Sequence, residues 1–369
     1  MILKSFKAKS FRNIKECSIT LYPGLNLLHG KNAQGKTNAL EGIYIFSRGK
    51  SFRAREDSDL IRFGDEGFWI SIGFENAEGD QTLEYSMHGT QRQRKRNGYK
   101  LSGVGEMLGL FRSVLFYPDN LEIVKGGPEE RRSFLNVAIS QCYPSYMKYY
   151  QGYKKALENR NCLLKFWQKG MYLDERELMS WSESMAEYAS HIYMIRREYV
   201  DLISPHAARI MSDISDGKET FSISFLSDIE LETATREDVK REYMRVLNAS
   251  LDRERAAGVT LFGPHRDDLR ITLDGKDTRI FASQGQQRSV VLALKLGEGE
   301  VIREISGEYP VYLFDDVLSE LDAKRRSYVL GDTGDKQIII TSCESEEYER
   351  FGARRIDVSG GEYVSSYRQ

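Results

Sequence analysis

Short runs in which apolar and polar residues alternate fill the first hundred positions of the chain. "MILKSFKAKSF", "CSITLYPGLNLL" and "FWISIGFENAEGDQTLEYSMH" carry this two-residue period between turns rich in Gly, Asn and Asp, and predict β-strands. One segment departs from it: after Thr37 the pattern predicts a helix. From about Glu129 the period changes. Tyr146, Tyr150, Tyr153, Leu157, Leu164 and Trp167 fall at three- and four-residue spacing, interrupted only by Arg160. After a break at "KGMYLD", Leu178, Trp181, Met185, Tyr188, Ile192, Ile195, Tyr199 and Leu202 keep that spacing. Both read as long amphipathic helices, roughly 30–45 Å each at 1.5 Å per residue. Their short connection predicts an antiparallel pair, and Pro205 is expected to end the second. "FSISFL" predicts a brief strand. "TREDVKREYMRVLNASLDRERAAG" predicts a third helix, opened by a capping box of Thr235 with Asp238. From "VTLFGPHRDDLRITLDG" the β-rich character returns. The aromatic and leucine stripes read as packing within a helical arm.

Composition narrows the class. A chain of 369 residues can hold two domains, or one domain with a large insertion. Hydrophobic content of 40% and charged content of 29% are ordinary for a soluble globular protein. With a net charge of −2 there is no global pull toward nucleic acid or membrane, so a polyanion site needs a local cluster. Cys17, Cys142, Cys162 and Cys343 are far apart and form no C-x-x-C pair, which points to reduced cytoplasmic thiols rather than zinc or disulfides. The first residues lack the apolar core of a signal peptide and no stretch reaches 18 apolar residues, so a soluble, cytoplasmic protein without a membrane partner is expected.

The chemistry starts at "GKNAQGKT", Gly30 to Thr37, which reads G-x-x-x-x-G-K-T between a predicted strand and a predicted helix. Such a match arises by chance in about one chain in a hundred of this length, and the flanking elements make it rarer. Gly30 and Gly35 let the backbone of Lys31, Asn32, Ala33 and Gln34 turn its N–H groups onto phosphate oxygens. Lys36 reaches the β- and γ-phosphates, Thr37 offers a hydroxyl to Mg²⁺, and the helix adds its positive end.

The second metal element should be an apolar strand ending in a carboxylate, and "VYLFDD" supplies it. Asp315 fits the Mg²⁺ role, and Asp316 could position or deprotonate the attacking water, with Lys36 as the other catalytic candidate. About 30 residues earlier, "SQGQQ" precedes an apolar helix, and "SELD" follows the carboxylates. Ser, Gln and Gly often cap helices, yet order and spacing here resemble the signature and D-loop of ABC-type ATPases. No N-K-x-D guanine reader occurs. The ABC resemblance implies that Ser283, Gly285 and Gln286 face the γ-phosphate of a second copy, so that two heads close on two ATP molecules as a homodimer. Lys36 and Asp315 stand 279 positions apart, more than a transporter cassette needs. A head split by an antiparallel helical insertion is the SMC-like plan. The fold class expected is α/β, an ABC-type (SMC-like) P-loop ATPase head split by a mainly helical arm. The partition expected is 1–128 and 258–369 for the head and 129–257 for the arm.

Within that group, "FRNI", "GKSFRAREDSDLIRFG", "VLFYPDNLEIVKGGPEERRSFLN", "LFGPHRDDL", "SQGQQRS" and "LFDDVLSELD" stand in the order found in the RecF family, which the chain resembles from about residue 3 to 345. The resemblance implies a slow, DNA-stimulated ATPase that uses ATP and Mg²⁺ and dimerises on duplex DNA or single-strand/duplex junctions. It implies cooperation with RecO and RecR to load RecA, in replication, repair and the SOS response. It places Arg12 and Asn13 beside the nucleotide, and Arg53 near the phosphates and the DNA-facing surface. His265 in "GPHRDD" is open to two readings, catalytic or structural at the re-entry into the head. Two departures from a transporter cassette predict slow turnover, with ATP acting as a timer. Asp316 stands where a Glu is usual, and Thr341, Ser342 and Cys343 where a switch His would be.

For DNA, "QRQRKRNGYK" packs Arg92, Arg94, Lys95, Arg96 and Lys100 into ten positions, with Asn97-Gly98 as a hairpin turn. Phosphate contact and a solvated strand edge are both open to it. A transporter subunit would want a plain cassette, and an ATP-gated nuclease a second metal centre, which five scattered histidines do not supply.

Overall fold

The computed structural model describes residues 1–172, 174–229, 231, 235–331 and 333–365. The N-terminal runs form β1 (Ile2–Phe11), β2 (Ile14–Thr20) and β3 (Leu25–His29), then α1 (Lys36–Arg48). After these come β4 (Gly67–Asn76), β5 (Gly79–His88), β6 (Gln91–Arg96), β7 (Tyr99–Lys100) and β8 (Ser113–Phe116). The helical stretch holds α2 (Glu122–Lys125), α3 (Pro128–Cys142), α4 (Tyr146–Gln168) and α5 (Glu175–Ser215). It continues through β9 (Phe221–Leu226), α6 (Arg236–Ala249), α7 (Leu251–Ala257), β10 (Asp268–Leu273), β11 (Lys276–Asp277) and α8 (Thr278–Phe281). The remaining elements are α9 (Gln284–Ser306), β12 (Val311–Asp315), α10 (Ala323–Leu330), β13 (Gln337–Ser342), α11 (Glu346–Arg350), β14 (Arg354–Ser359) and β15 (Glu362–Ser365).

Two compact units result: Met1–Leu121 with His206–Thr220 and Ser283–Gln369, and Glu122–Pro205 with Phe221–Ala282. Beside the expected partition, residues 258–282 fall in the second unit, because β10 pairs with β9 and β11 in one three-stranded sheet.

The first unit contains two six-stranded sheets. One is antiparallel, in the order β2-β1-β4-β5-β6-β7. Its strands alternate, with Phe6, Ala8, Ile70, Ile72, Leu83 and Tyr85 buried on one face. Asn97 (φ 50°) and Gly98 (φ 82°) both take the left-handed backbone of the expected hairpin turn. The other sheet runs β15-β14-β3-β13-β12-β8, and β14, β3, β13, β12 and β8 pair in parallel. Its central strands are continuous buried runs, Ile338–Ile340 and Val311–Phe314, as expected where both faces are covered.

In the second unit, the position that interrupts the α4 stripe is a structural centre. The buried Arg160 guanidinium donates to Glu254 Oε2 (2.6 Å), Thr260 Oγ1 (2.7 Å) and Ser182 Oγ (2.9 Å). Arg196 does the same with Asp267 (2.6 Å), the Pro264 carbonyl (2.7 Å) and Tyr146 Oη (3.0 Å). Charges out of water are tolerable only when paired and hydrogen-bonded in this way.

Three expectations need correction. Pro205 does not end its helix: α5 continues to Ser215. The proline sits on the solvent side, while Tyr199, Ile203, Ala207 and Ile210 keep the apolar stripe buried on both sides of it. That burial offsets the lost backbone bond. The third helix, with its predicted Thr235–Asp238 capping box, breaks at Ser250 into α6 and α7. His265 lies in the second unit rather than in the head. Its Nδ1 is 2.6 Å from Tyr153 Oη and its Nε2 is 3.2 Å from the Thr260 carbonyl, which favours the structural reading. The break at "KGMYLD" includes Leu173, outside the described residues. Among the described residues no helix is long and apolar enough to cross a membrane.

Arg160→Met should leave Glu254 buried and uncompensated, lowering stability by about 3–5 kcal/mol in urea unfolding; a loss below about 1 kcal/mol would contradict the assignment. Burial pushes the His265 pKa down, to about 4 from 6.5. The folded imidazole therefore refuses a proton that the unfolded chain accepts, so this contribution is full above pH 6.5 and fades as pH falls toward 4. His265→Gln should flatten the fall of the unfolding midpoint across that window. An unchanged slope would mean that the imidazole does not couple to folding.

Candidate nucleotide site

The parallel register builds the site. β3 is flanked by β13 and β14, with Ile340 opposite Leu27 and Ile356 opposite Leu28. Beyond its end, the Gly30 N–H donates to the Ser342 carbonyl at 3.2 Å. Gly30 is required there, since a Cβ would meet the Val358 carbonyl oxygen at 2.2 Å. Gly35 has φ 113° and precedes α1, whose N-terminus points into the loop. The Lys36 ammonium folds back onto the Gly30 carbonyl, the Lys31 carbonyl (3.1 Å) and Cys343 Sγ (3.3 Å).

β12 brings the carboxylates. Thr37 Oγ1 donates to Asp315 Oδ1 at 2.7 Å, and Thr341 Oγ1 donates to the same oxygen at 2.9 Å. Burial pushes the Asp315 pKa up, and these two hydroxyls oppose the shift. Asp316 adopts φ 56°, and its N–H donates to Thr341 Oγ1 at 3.0 Å. A cleft of about 220 Å³ is lined by Asn32 to Asn38 together with Arg53, Asp316 and Thr341.

The pair Thr37 and Asp315 offers two hard oxygens side by side. A small divalent cation that keeps waters and phosphate oxygens needs no more from the protein, so the residues fit Mg²⁺. Among the described residues no cluster of three or more His, Cys, Asp or Glu could hold a metal alone.

Arg12 and Arg53 converge on one carboxylate that sequence reasoning missed. Glu41 is fully buried and accepts two bonds from Arg12 (2.9 and 2.7 Å) and one from Arg53 (2.6 Å). Burial alone would raise its pKa; the bonds from Arg12 and Ser51 and the charge of Arg53 hold it below the ordinary range. Asn13 Oδ1 accepts from Asn38 Nδ2 at 2.6 Å, beside the loop. Gln34 Oε1 accepts from the Gly360 N–H (2.7 Å), and Tyr363 Oη donates to the Gly35 carbonyl (2.8 Å). Thr341, Glu41 and Tyr363 carry no motif. In the sequence only Thr341–Cys343 stands out, as the place where a switch His is absent.

Ser283, Gly285 and Gln286 do not line this cleft. Ser283 caps α9 in a reciprocal box with Gln286, Gln286 Nε2 donates to Glu219 at 2.8 Å, and Gly285 faces open space. The basic hairpin is divided too. Arg92 donates to Asp57 Oδ2 at 2.6 Å, Arg94 lies 4.3 Å over the Tyr85 ring, and Arg96 bonds Glu78 and Gln81. Lys95 has no ion-pair partner among the described residues.

Against known proteins, the family described as RecF/RecN/SMC N terminal domain matches residues 2–359. The chain is 37% identical over 352 residues to the DNA replication and repair protein RecF of Acetivibrio thermocellus, covering 95% of each chain. It is 34% identical over 369 residues to that of Clostridioides difficile, covering 99% of this chain and 98% of the other. A solved structure of the recombination mediator protein RecF with ATP in the RecFOR pathway has TM-score 0.91 at 33% identity, covering 99% of this chain and 98% of that one. An Smc head domain from Pyrococcus furiosus shares the fold at TM-score 0.57 and 19% identity.

Proposed function

The chain belongs to the RecF family, and we propose that it is an ATP-dependent recombination mediator acting on DNA. The observation that carries the ATP reading is the meeting of Lys36, Thr37, Asp315 and Asp316 at the ends of β3 and β12. Thr37 and Asp315 are hydrogen-bonded across 278 positions of sequence. The RecF structure solved with ATP is a further support.

The loop N–H groups and the α1 N-terminus bind the phosphates, and Lys36 leaves its carbonyl contacts to reach them. Thr37 and Asp315 are the chain oxygens that would hold Mg²⁺, which would supply neutralisation of phosphate charge. Asp316, held by its own N–H on Thr341, orients or deprotonates the water. Ser283, Gly285 and Gln286 of a second copy complete the γ-phosphate site, which makes the ATP state a homodimer. Because these residues do not line the cleft of their own chain, the composite arrangement is consistent with the geometry. Arg12 and Arg53, clamped on Glu41, brace the loop from the side of α1.

ATP closes the dimer on duplex DNA or a single-strand/duplex junction, RecO and RecR cooperate with it to load RecA, and slow, DNA-stimulated hydrolysis releases it. Repair, replication and the SOS response in the cytoplasm are the corresponding setting. Asp316→Asn should lengthen the lifetime of the ATP-driven dimer at least about ten-fold, as expected when a general-base contribution is removed. Light scattering after ATP chase reads this directly, and an unchanged lifetime would sink the timer.

A further inference from the structure

The run "QRQRKR" occupies β6, where successive side chains face opposite sides of the sheet. Its register with β5 sets Arg92 opposite Met87, Arg94 opposite Tyr85 and Arg96 opposite Leu83, all on the buried face. Gln93 lies opposite Ser86 and Lys95 opposite Glu84, on the other face. One row across that face runs from Lys100 through Lys95, Glu84 and Ser71 to Lys7, and the next from Gln93 through Ser86 and Trp69 to Lys9. The six-stranded sheet therefore turns Lys7, Lys9 and Lys100 to solvent, with the half-buried Lys95 on the same face. None of the four has an ion-pair partner among the described residues, whereas Lys4 is held by Glu75 and Asp80. Acids also lie on or beside this face: Glu84, Glu16, and Asp65 and Glu66 in the adjoining loop. Glu84 is occupied by Trp69 Nε1 at 3.0 Å, and Glu16 stands across from Lys9.

Spacing fits a double-stranded polyanion. Lys7 and Lys9 are about 7 Å apart along β1, on the scale of two steps of roughly 3.4 Å along one DNA strand. Lys95 lies three inter-strand gaps away, about 14 Å, comparable to the roughly 12 Å groove between two backbones. Lys9, Trp69, Gln93 and Lys100 line one concave stretch together with Asp65, Glu66 and Arg92. Beside them sits Phe63, the most exposed large hydrophobic among the described residues, at 100%. It is pinned there: the Asp65 N–H donates to the Arg62 carbonyl at 3.0 Å, Gly64 supplies φ 89°, and the Arg62 N–H donates to Ser10 at 2.9 Å.

We propose that this face grips the backbone of duplex DNA through Lys7, Lys9, Lys95 and Lys100, and that Phe63 stacks on a base at the end of the duplex. The inference rests on the DNA-binding reading above and assigns its surface. The arginines of the same hairpin serve the fold instead.

The test measures ATP-dependent binding of duplex and single-strand/duplex junction across salt, with ATP-driven dimerisation as the folding control. Replacing the four lysines by Gln should flatten the slope of log K against log salt by about 0.9 per lost phosphate contact. Arg96→Gln, at a residue bonded to Glu78 and Gln81 away from that stretch, should leave the slope alone. Phe63→Ala should keep duplex binding and lose about ten-fold of the junction preference. A wild-type slope in the lysine variant overturns the surface, and does so in favour of a protein partner if the variant loses one instead. An intact junction preference in Phe63→Ala overturns the stacking role. Should the wild-type protein bind neither DNA at low salt, the mediator reading itself falls.

Discussion

The site depends on the side-by-side parallel register of β3, β13 and β12. Thr341 is paired with Leu28 on one side and Asp315 on the other. That alignment places three chain segments, remote in sequence, at one edge of the sheet. A slip of one residue would move Asp315 by about 3.3 Å along its strand and separate it from Thr37. The ladder that fixes this register therefore also sets the distance between Thr37 Oγ1 and Asp315 Oδ1.

Around that edge the protein adds braces rather than further chemistry. Glu41 ties Arg12 and Arg53 to α1, the Gly360 N–H and Tyr363 hold the phosphate loop from the β14–β15 side, and Thr341 holds the Asp315 carboxylate and the Asp316 backbone N–H. A phosphate loop must keep its N–H groups free for a ligand, so its other backbone and side-chain groups are bonded elsewhere. In the second unit, Arg160 and Arg196 do comparable work, each a buried charge whose partners come from distant segments.

The sequence was most readable where local chemistry decides structure. The phosphate loop, the strand ending in Asp315, the helix after Ser283 and the Asn97–Gly98 turn each depend on residues within a few positions. It was least readable where tertiary burial decides. Pro205 carries a strong local stop signal, yet the apolar stripe on both sides keeps the helix going. Arg160 looks like a defect in a stripe until Glu254, Thr260 and Ser182 surround it. Glu41 and Tyr363 have no motif because their partners are set by long-range packing. The basic hairpin was an intermediate case. Its turn was legible in Asn97–Gly98, but which basic side chains lie over Leu83, Tyr85 and Met87 depends on the pairing with β5.

The central claim is that one ATP site is built from two copies of the chain. The most direct measurement mixes two variants, Lys36→Ala and Ser283→Arg, each inactive alone, and assays ATP hydrolysis. In a composite site the mixed dimer carries one intact site and one doubly disabled site, so mixing should restore turnover. If Ser283→Arg hydrolyses ATP by itself, or if mixing restores nothing although mixed dimers form, the site is not shared between copies.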